Sequence, residues 1–117
     1  GELGAAGIAL SKFAESYAAA VCLINSVYPP YYKWIIRTAA AQPVLGAESN
    51  MLNTLLSVFC ESPEKCQREI ELICRALINV LIEWGLCRPM GDFLEPYCYA
   101  VNDKIHSEWL RNMPVML

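Results

Sequence analysis

Histidine is nearly missing from this sequence, charge is sparse, and no pair of cysteines has the CxxC spacing. Each shortage removes a class of function. The one histidine, His106, sits among Lys104, Ser107 and Glu108, away from any cysteine in sequence. That argues against the Cys/His sets that hold zinc and gives no support to Ser-His-Asp chemistry. No HExxH, Walker A or GxGxxG segment occurs, nor any Asp-x-Asp or Glu-x-x-His pair. No catalytic constellation can be assembled from what remains. Strand-like alternation is absent as well.

Charged residues make up 18% of the chain and hydrophobic ones 56%, with a net charge of −3. A balance this apolar implies a well-packed core, a large partner surface, or both. The negative sum argues against nucleic-acid binding by bulk electrostatics. The longest weakly polar run, about Ser16 to Tyr28, contains Asn25 and stops at two prolines. It reads as too short to span a bilayer, so no membrane partner is expected. No charged segment with a cleavage site marks a signal peptide. The chain begins at Gly1 without a methionine, and is read as a piece of a longer protein.

Six cysteines are present: Cys22, Cys60, Cys66, Cys74, Cys87 and Cys98. They fall mostly inside apolar helical patterns, and are read as reduced, buried thiols of a cytoplasmic protein rather than as disulfides. At 117 residues the chain is expected to form one domain, residues 1–117, around a single core.

What is present everywhere is the 3.6-residue period. Leu10, Phe13, Tyr17, Ala20, Ile24 and Val27 step by three and four, predicting a helix from about Ala5 to Val27 that Pro29 ends. A second helix is expected from Pro30 to Ala41, then a loop from Gln42 to Asn50. Ser49 or Asn50 can cap a third helix carrying Leu52, Leu55, Leu56 and Phe59. Ser62-Pro63-Glu64 combines an N-cap, a proline at the first helical position and an acid in the first turn. The helix it opens should reach Trp84, with Gly85 as left-handed cap. Its polar residues Glu71, Arg75, Asn79 and Glu83 form one narrow stripe, as in a helix central to a bundle. After a turn around Pro89, Gly91 and Asp92, with Asp92 and Glu95 at capping-box spacing, a last helix is expected from Pro96 to about Asn112. Its core stripe would be Cys98, Val101, Ile105 and Trp109. The fold class is all-α, an antiparallel bundle of about five helices.

Within that frame one segment stands apart: Tyr28-Pro29-Pro30-Tyr31-Tyr32-Lys33-Trp34-Ile35-Ile36-Arg37. Lys33 and Arg37 are the only charges between Glu15 and Glu48. They fall one turn apart on one helical face, near a helix N-terminus whose dipole is also positive. Two readings stay open. The cations can snorkel to water beside aromatics that anchor the core, or meet Glu71 or Glu83 in a structural network. Alternatively they hold an anion or phosphate flanked by rings able to stack a base or sugar. The Glu71 to Glu83 stripe is most simply a solvated edge, and otherwise the lining of a polar groove.

The order Asn25-Ser26-Val27-Tyr28-Pro29-Pro30-Tyr31-Tyr32-Lys33-Trp34, then Arg37 and Pro43, resembles the C-terminal helical domain of a family of bacterial nucleotidyltransferase-like proteins in the polymerase-β superfamily. That domain is of unknown function. The alanine-rich helix before this element, and Asp92-Phe93-Leu94-Glu95 with Ile105 and Leu110-Arg111 after it, resemble the same domain. The resemblance implies a parent whose upstream catalytic domain carries the Gly-Ser loop and metal-binding aspartates that this chain lacks. It implies an accessory, substrate-binding role for this chain, with no catalytic or metal-binding residue of its own. Magnesium and a nucleoside triphosphate would belong to the parent's site. Lys33 would be the triphosphate contact, Arg37 its neighbour, and Tyr31, Tyr32 and Trp34 cleft-lining residues. The partner would be that catalytic domain, in cis or in trans. The rival expectation, from a different class, is a non-enzymatic protein–protein interaction or oligomerisation module, for which a homodimer is the simplest form.

Overall fold

The structure, a computed structural model, describes residues 2–91 and 93–114. All regular structure among them is helical, as expected. In chain order the elements are α1 (Leu3–Ile24), α2 (Tyr32–Ala40), α3 (Gly46–Asn50), a 3-10 turn (Met51–Thr54), α4 (Leu55–Glu61), α5 (Pro63–Glu83), α6 (Glu95–Asn102) and α7 (Glu108–Arg111). Contacts group the chain into two compact units, Gly1–Ile73 and Cys74–Leu117, and the division falls inside α5.

In the first unit α1 packs on α2, α3 and α4, and α2 packs on α3. The face of α1 that enters this core is not the one that bulk alone suggests. Ala14, Tyr17, Ala18, Val21 and Cys22 are buried, whereas Leu10, Phe13, Ala20, Ile24 and Val27 are only half-buried. The alanines carry the contact because a methyl lets a neighbouring helix approach closely, and the Tyr17 hydroxyl donates to the Ile73 carbonyl at 2.7 Å. From Leu3 to Phe13 no residue of α1 is fully buried. This helix has 22 residues. It is therefore longer than the run read from sequence, and long and apolar enough to cross a membrane by length and composition, with 28% of its most apolar window buried.

The end of α1 also differs from expectation. The helix stops before the prolines, because Ser26 turns into the left-handed region at φ 60°. The amide of Val27 then bonds the Cys22 carbonyl at 2.8 Å and that of Ser26 the Leu23 carbonyl at 3.0 Å, which closes a Schellman cap without glycine. Pro30 consequently lies outside α2, whose N-cap is Tyr31. The expected loop from Gln42 to Asn50 is helical in its second half. Leu45, left-handed at φ 64°, opens α3, and the hydroxyl of Ser49 is buried, donating to the Leu45 carbonyl at 2.9 Å rather than capping a helix. Gly46 lies so close to α2 that a Cβ there would come within 2.8 Å of the Ala40 carbonyl oxygen. Gly46→Ala should therefore lower stability by roughly 1–2 kcal/mol through overpacking against rigid backbone, measured by urea unfolding.

The start and stop of α5 are where local chemistry puts them. The Ser62 hydroxyl accepts the Lys65 amide at 3.2 Å. At the other end Gly85, at φ 73°, is followed by Leu86, whose amide bonds the Leu81 carbonyl at 3.0 Å. The polar stripe Glu71, Arg75, Asn79 and Glu83 is exposed. Only Cys66, Ile73, Leu77 and Ile78 are buried along α5, and Leu72 is exposed. In the second unit the expected long last helix is divided. The first half, α6, ends at Asn102, whose side chain instead donates to the Arg111 carbonyl at 2.8 Å, while the Arg111 guanidinium donates to the Ile105 carbonyl at 3.1 Å. Asn102 and Asp103 are weak helix formers that favour such local bonds. The stripe of this region is corrected too. Cys98 and Trp109 are exposed and Val101 and Ile105 half-buried, and the core position is Tyr97, 1% exposed. Asp92, expected to open a capping box, lies outside the described residues.

Candidate functional site

Helix α2 buries Ile35 and Ala39, positions four apart on one face. The nine-residue helix therefore presents Lys33, Trp34 and Arg37 on its other side, and all three are exposed. The structure brings these three together around one ring. The Lys33 ammonium lies 5.5 Å from the Trp34 ring centroid and the Arg37 guanidinium carbon 5.4 Å from it, both within cation–π range. No ion pair joins either cation to a described carboxylate of this unit, Glu71 included. The structural network weighed for them is thus not made there. Arg37, in the last turn of α2, complements the helix dipole, and Lys33, in the first turn, opposes it.

The tyrosines continue this surface. Tyr31 and Tyr32 stand with ring centroids 4.4 Å apart at 50°, and Tyr28 is 90% exposed. The hydrogen bond that Tyr31 shares with the Tyr32 side chain raises the Tyr31 phenol above its ordinary value. Tyr31, Tyr32 and Trp34 are thus not core anchors. The exposed rings and the two cations cluster in sequence at the start and outer face of α2.

A concave feature lies on another side of α2. An open groove of about 260 Å³ runs between α1, α2 and the segment from Leu52 to Leu56. Ala14, Ile35, Leu52 and Leu55 are its buried lining, and Leu56 and Tyr32 stand exposed beside them. Glu15 is the one charged residue lining it. Of the candidate site residues, Lys33, Arg37, Tyr31, Tyr32 and Trp34, only Tyr32 reaches this groove. Its apolar members looked like ordinary core positions, and the signal that could have marked it was Leu56, an extra leucine beside Leu55 that one helix face cannot bury. Among the described residues no cluster of His, Cys, Asp and Glu could hold a metal ion. No family model, no curated protein and no solved structure matches this chain.

Proposed function

We propose that this chain is a non-catalytic helical binding module that engages an anionic group through the outer face of α2. The observation that carries this reading is the placement of Lys33 and Arg37, exposed against a single indole with no carboxylate of their unit beside them. Two like charges one turn apart repel. An anion between them would relieve that repulsion and gain charge-assisted hydrogen bonds. The surrounding Tyr28, Tyr31, Tyr32 and Trp34 supply the ring types in which binding surfaces are enriched.

In the form that the nucleotidyltransferase resemblance implies, the anion is the triphosphate of a magnesium-bound nucleotide. The partner is a catalytic domain, in cis or in trans, that supplies the carboxylates and holds the metal. Lys33 is then the phosphate contact and Arg37 its neighbour, while Tyr31, Tyr32 and Trp34 form one wall of a cleft closed by the other domain. Calorimetric titration of a magnesium nucleoside triphosphate should show Lys33→Ala binding at least about tenfold more weakly than the parent sequence. Equal affinities of the two proteins would remove Lys33 from the site and leave the interaction-module reading ahead.

A second reading, a protein–protein interaction or oligomerisation module without a nucleotide, is favoured by the groove and its exposed Leu56. It expects concentration-dependent self-association in sedimentation, abolished by Leu56→Glu.

A further inference from the structure

In the second unit the Cys87 thiol packs against the backbone that leads into Cys98. Cys87 follows the glycine cap of α5, and Cys98 sits in the N-terminal part of α6. The Cys87 sulfur lies 3.8 Å from the Tyr97 carbonyl oxygen, and that carbonyl is covalently joined to the Cys98 nitrogen. Burial pushes the Cys87 thiol up, the nearby Lys104 ammonium pulls it down, and Cys98 pushes it up again. The contact with the Tyr97 carbonyl sets the Cys87 sulfur against the peptide unit that leads into Cys98. The other three thiols with raised values, Cys22, Cys66 and Cys74, owe them first to burial, and no second cysteine acts on them. Cys98 is exposed and Cys87 half-buried.

We propose that Cys87 and Cys98 form a modification site, a dithiol that an oxidant of the peroxide class converts into an intramolecular disulfide. Cys98 is the attacking thiol, because it is the one of the two that is open to solvent. Its thiolate attacks one peroxide oxygen. A sulfur–oxygen bond forms, the oxygen–oxygen bond breaks, and the departing hydroxide takes a proton to become water. The Cys87 sulfur then attacks the sulfenic sulfur of Cys98. The disulfide forms, the sulfur–oxygen bond breaks, and the second water leaves with the proton of the Cys87 thiol. Two thiols lose two electrons and two protons, and the peroxide is reduced to two waters.

The bridge would close the stretch that the Tyr97 hydroxyl already gathers, donating to the Gly91 carbonyl at 2.7 Å and accepting the Met90 amide at 2.8 Å. Both ends of that stretch are already held in place, so oxidation staples an existing shape. The oxidised protein should resist unfolding more than the reduced one.

The test uses the full chain, reduced, exposed to an equimolar amount of hydrogen peroxide, quenched with N-ethylmaleimide and digested with trypsin. Arg88 precedes Pro89, so trypsin leaves Cys87 and Cys98 in one peptide, Ala76–Lys104. That peptide should appear two hydrogens lighter and free of maleimide, and should take up two maleimides after dithiothreitol. The Tm of the oxidised protein should rise by several degrees and return on reduction. Cys98→Ser, at an exposed position, should leave Cys87 fully alkylatable after peroxide and abolish the Tm shift. Exposed Cys60 serves as the internal comparison. The proposal fails if Cys87 and Cys98 both remain alkylatable at a peroxide dose that oxidises Cys60. It also fails if Cys98 is recovered as sulfinic acid or in an intermolecular dimer.

Discussion

Replacing Leu55 with alanine should destabilise the protein by about 3 kcal/mol. Leu55 is 2% exposed and begins α4 against α1, while its carbonyl accepts the Cys66 S–H at 3.7 Å. Truncation removes three carbons from between helices. Ala14 and Ala18, buried on α1, carry only rigid methyl groups, which cannot rotate to refill the space. The loss falls short of the largest cavity penalties because Leu55 also lines the groove, where solvent can partly occupy the gap. The neighbouring Leu56, 52% exposed, is the comparison. Leu56→Ala should cost no more than about 0.5 kcal/mol. Urea unfolding with unchanged slopes reads both values. Similar losses at the two positions would mean that the face of α4 turned toward α1 has been misassigned.

Asn25→Ala should cost about 2–3 kcal/mol, although the residue is only partly buried. Its side chain is a bracket between the end of α1 and the loop that follows α2. The amide nitrogen donates to the Val21 carbonyl at 2.7 Å and to the Val44 carbonyl at 2.9 Å. The amide oxygen accepts the Val44 N–H at 3.0 Å. Alanine leaves both backbone groups of Val44 without these partners. Asn25→Asp should be nearly as damaging. It keeps the acceptor for the Val44 N–H but turns a donor into a second anionic oxygen facing two carbonyls. Faster hydrogen exchange at the Val44 amide should accompany both changes. Protection of that amide equal to the parent's would show that the bracket is not what holds the loop.

Asn25 also shows how far the sequence reaches. Its position before Tyr28-Pro29-Pro30 was legible, but its partner at Val44, nineteen residues on, was not. A side chain that bridges distant backbone leaves no periodic mark. The same division runs through the molecule. Ser62-Pro63-Glu64 and Gly85 determined both ends of α5, because capping groups satisfy backbone within one turn of themselves. Pro29 and Pro30 made it legible that α1 and α2 are separate helices, although the left-handed cap at Ser26 is what ends α1. The absence of carboxylates between Glu15 and Glu48 determined that Lys33 and Arg37 would have no charge partner nearby in sequence. Tertiary structure decided the rest. Which stripe of α1 is buried was settled by how closely α2 and α4 approach Ala14 and Ala18, a choice that hydrophobicity read along one helix cannot make. Gly46 became a packing position only because the Ala40 carbonyl lies against it. Asn102 ended a helix that the apolar period would have continued, since its side chain found the Arg111 carbonyl. The shared position of Lys33 and Arg37 on Trp34 followed from burying Ile35 and Ala39, because packing one face of α2 inward sends these three residues outward together.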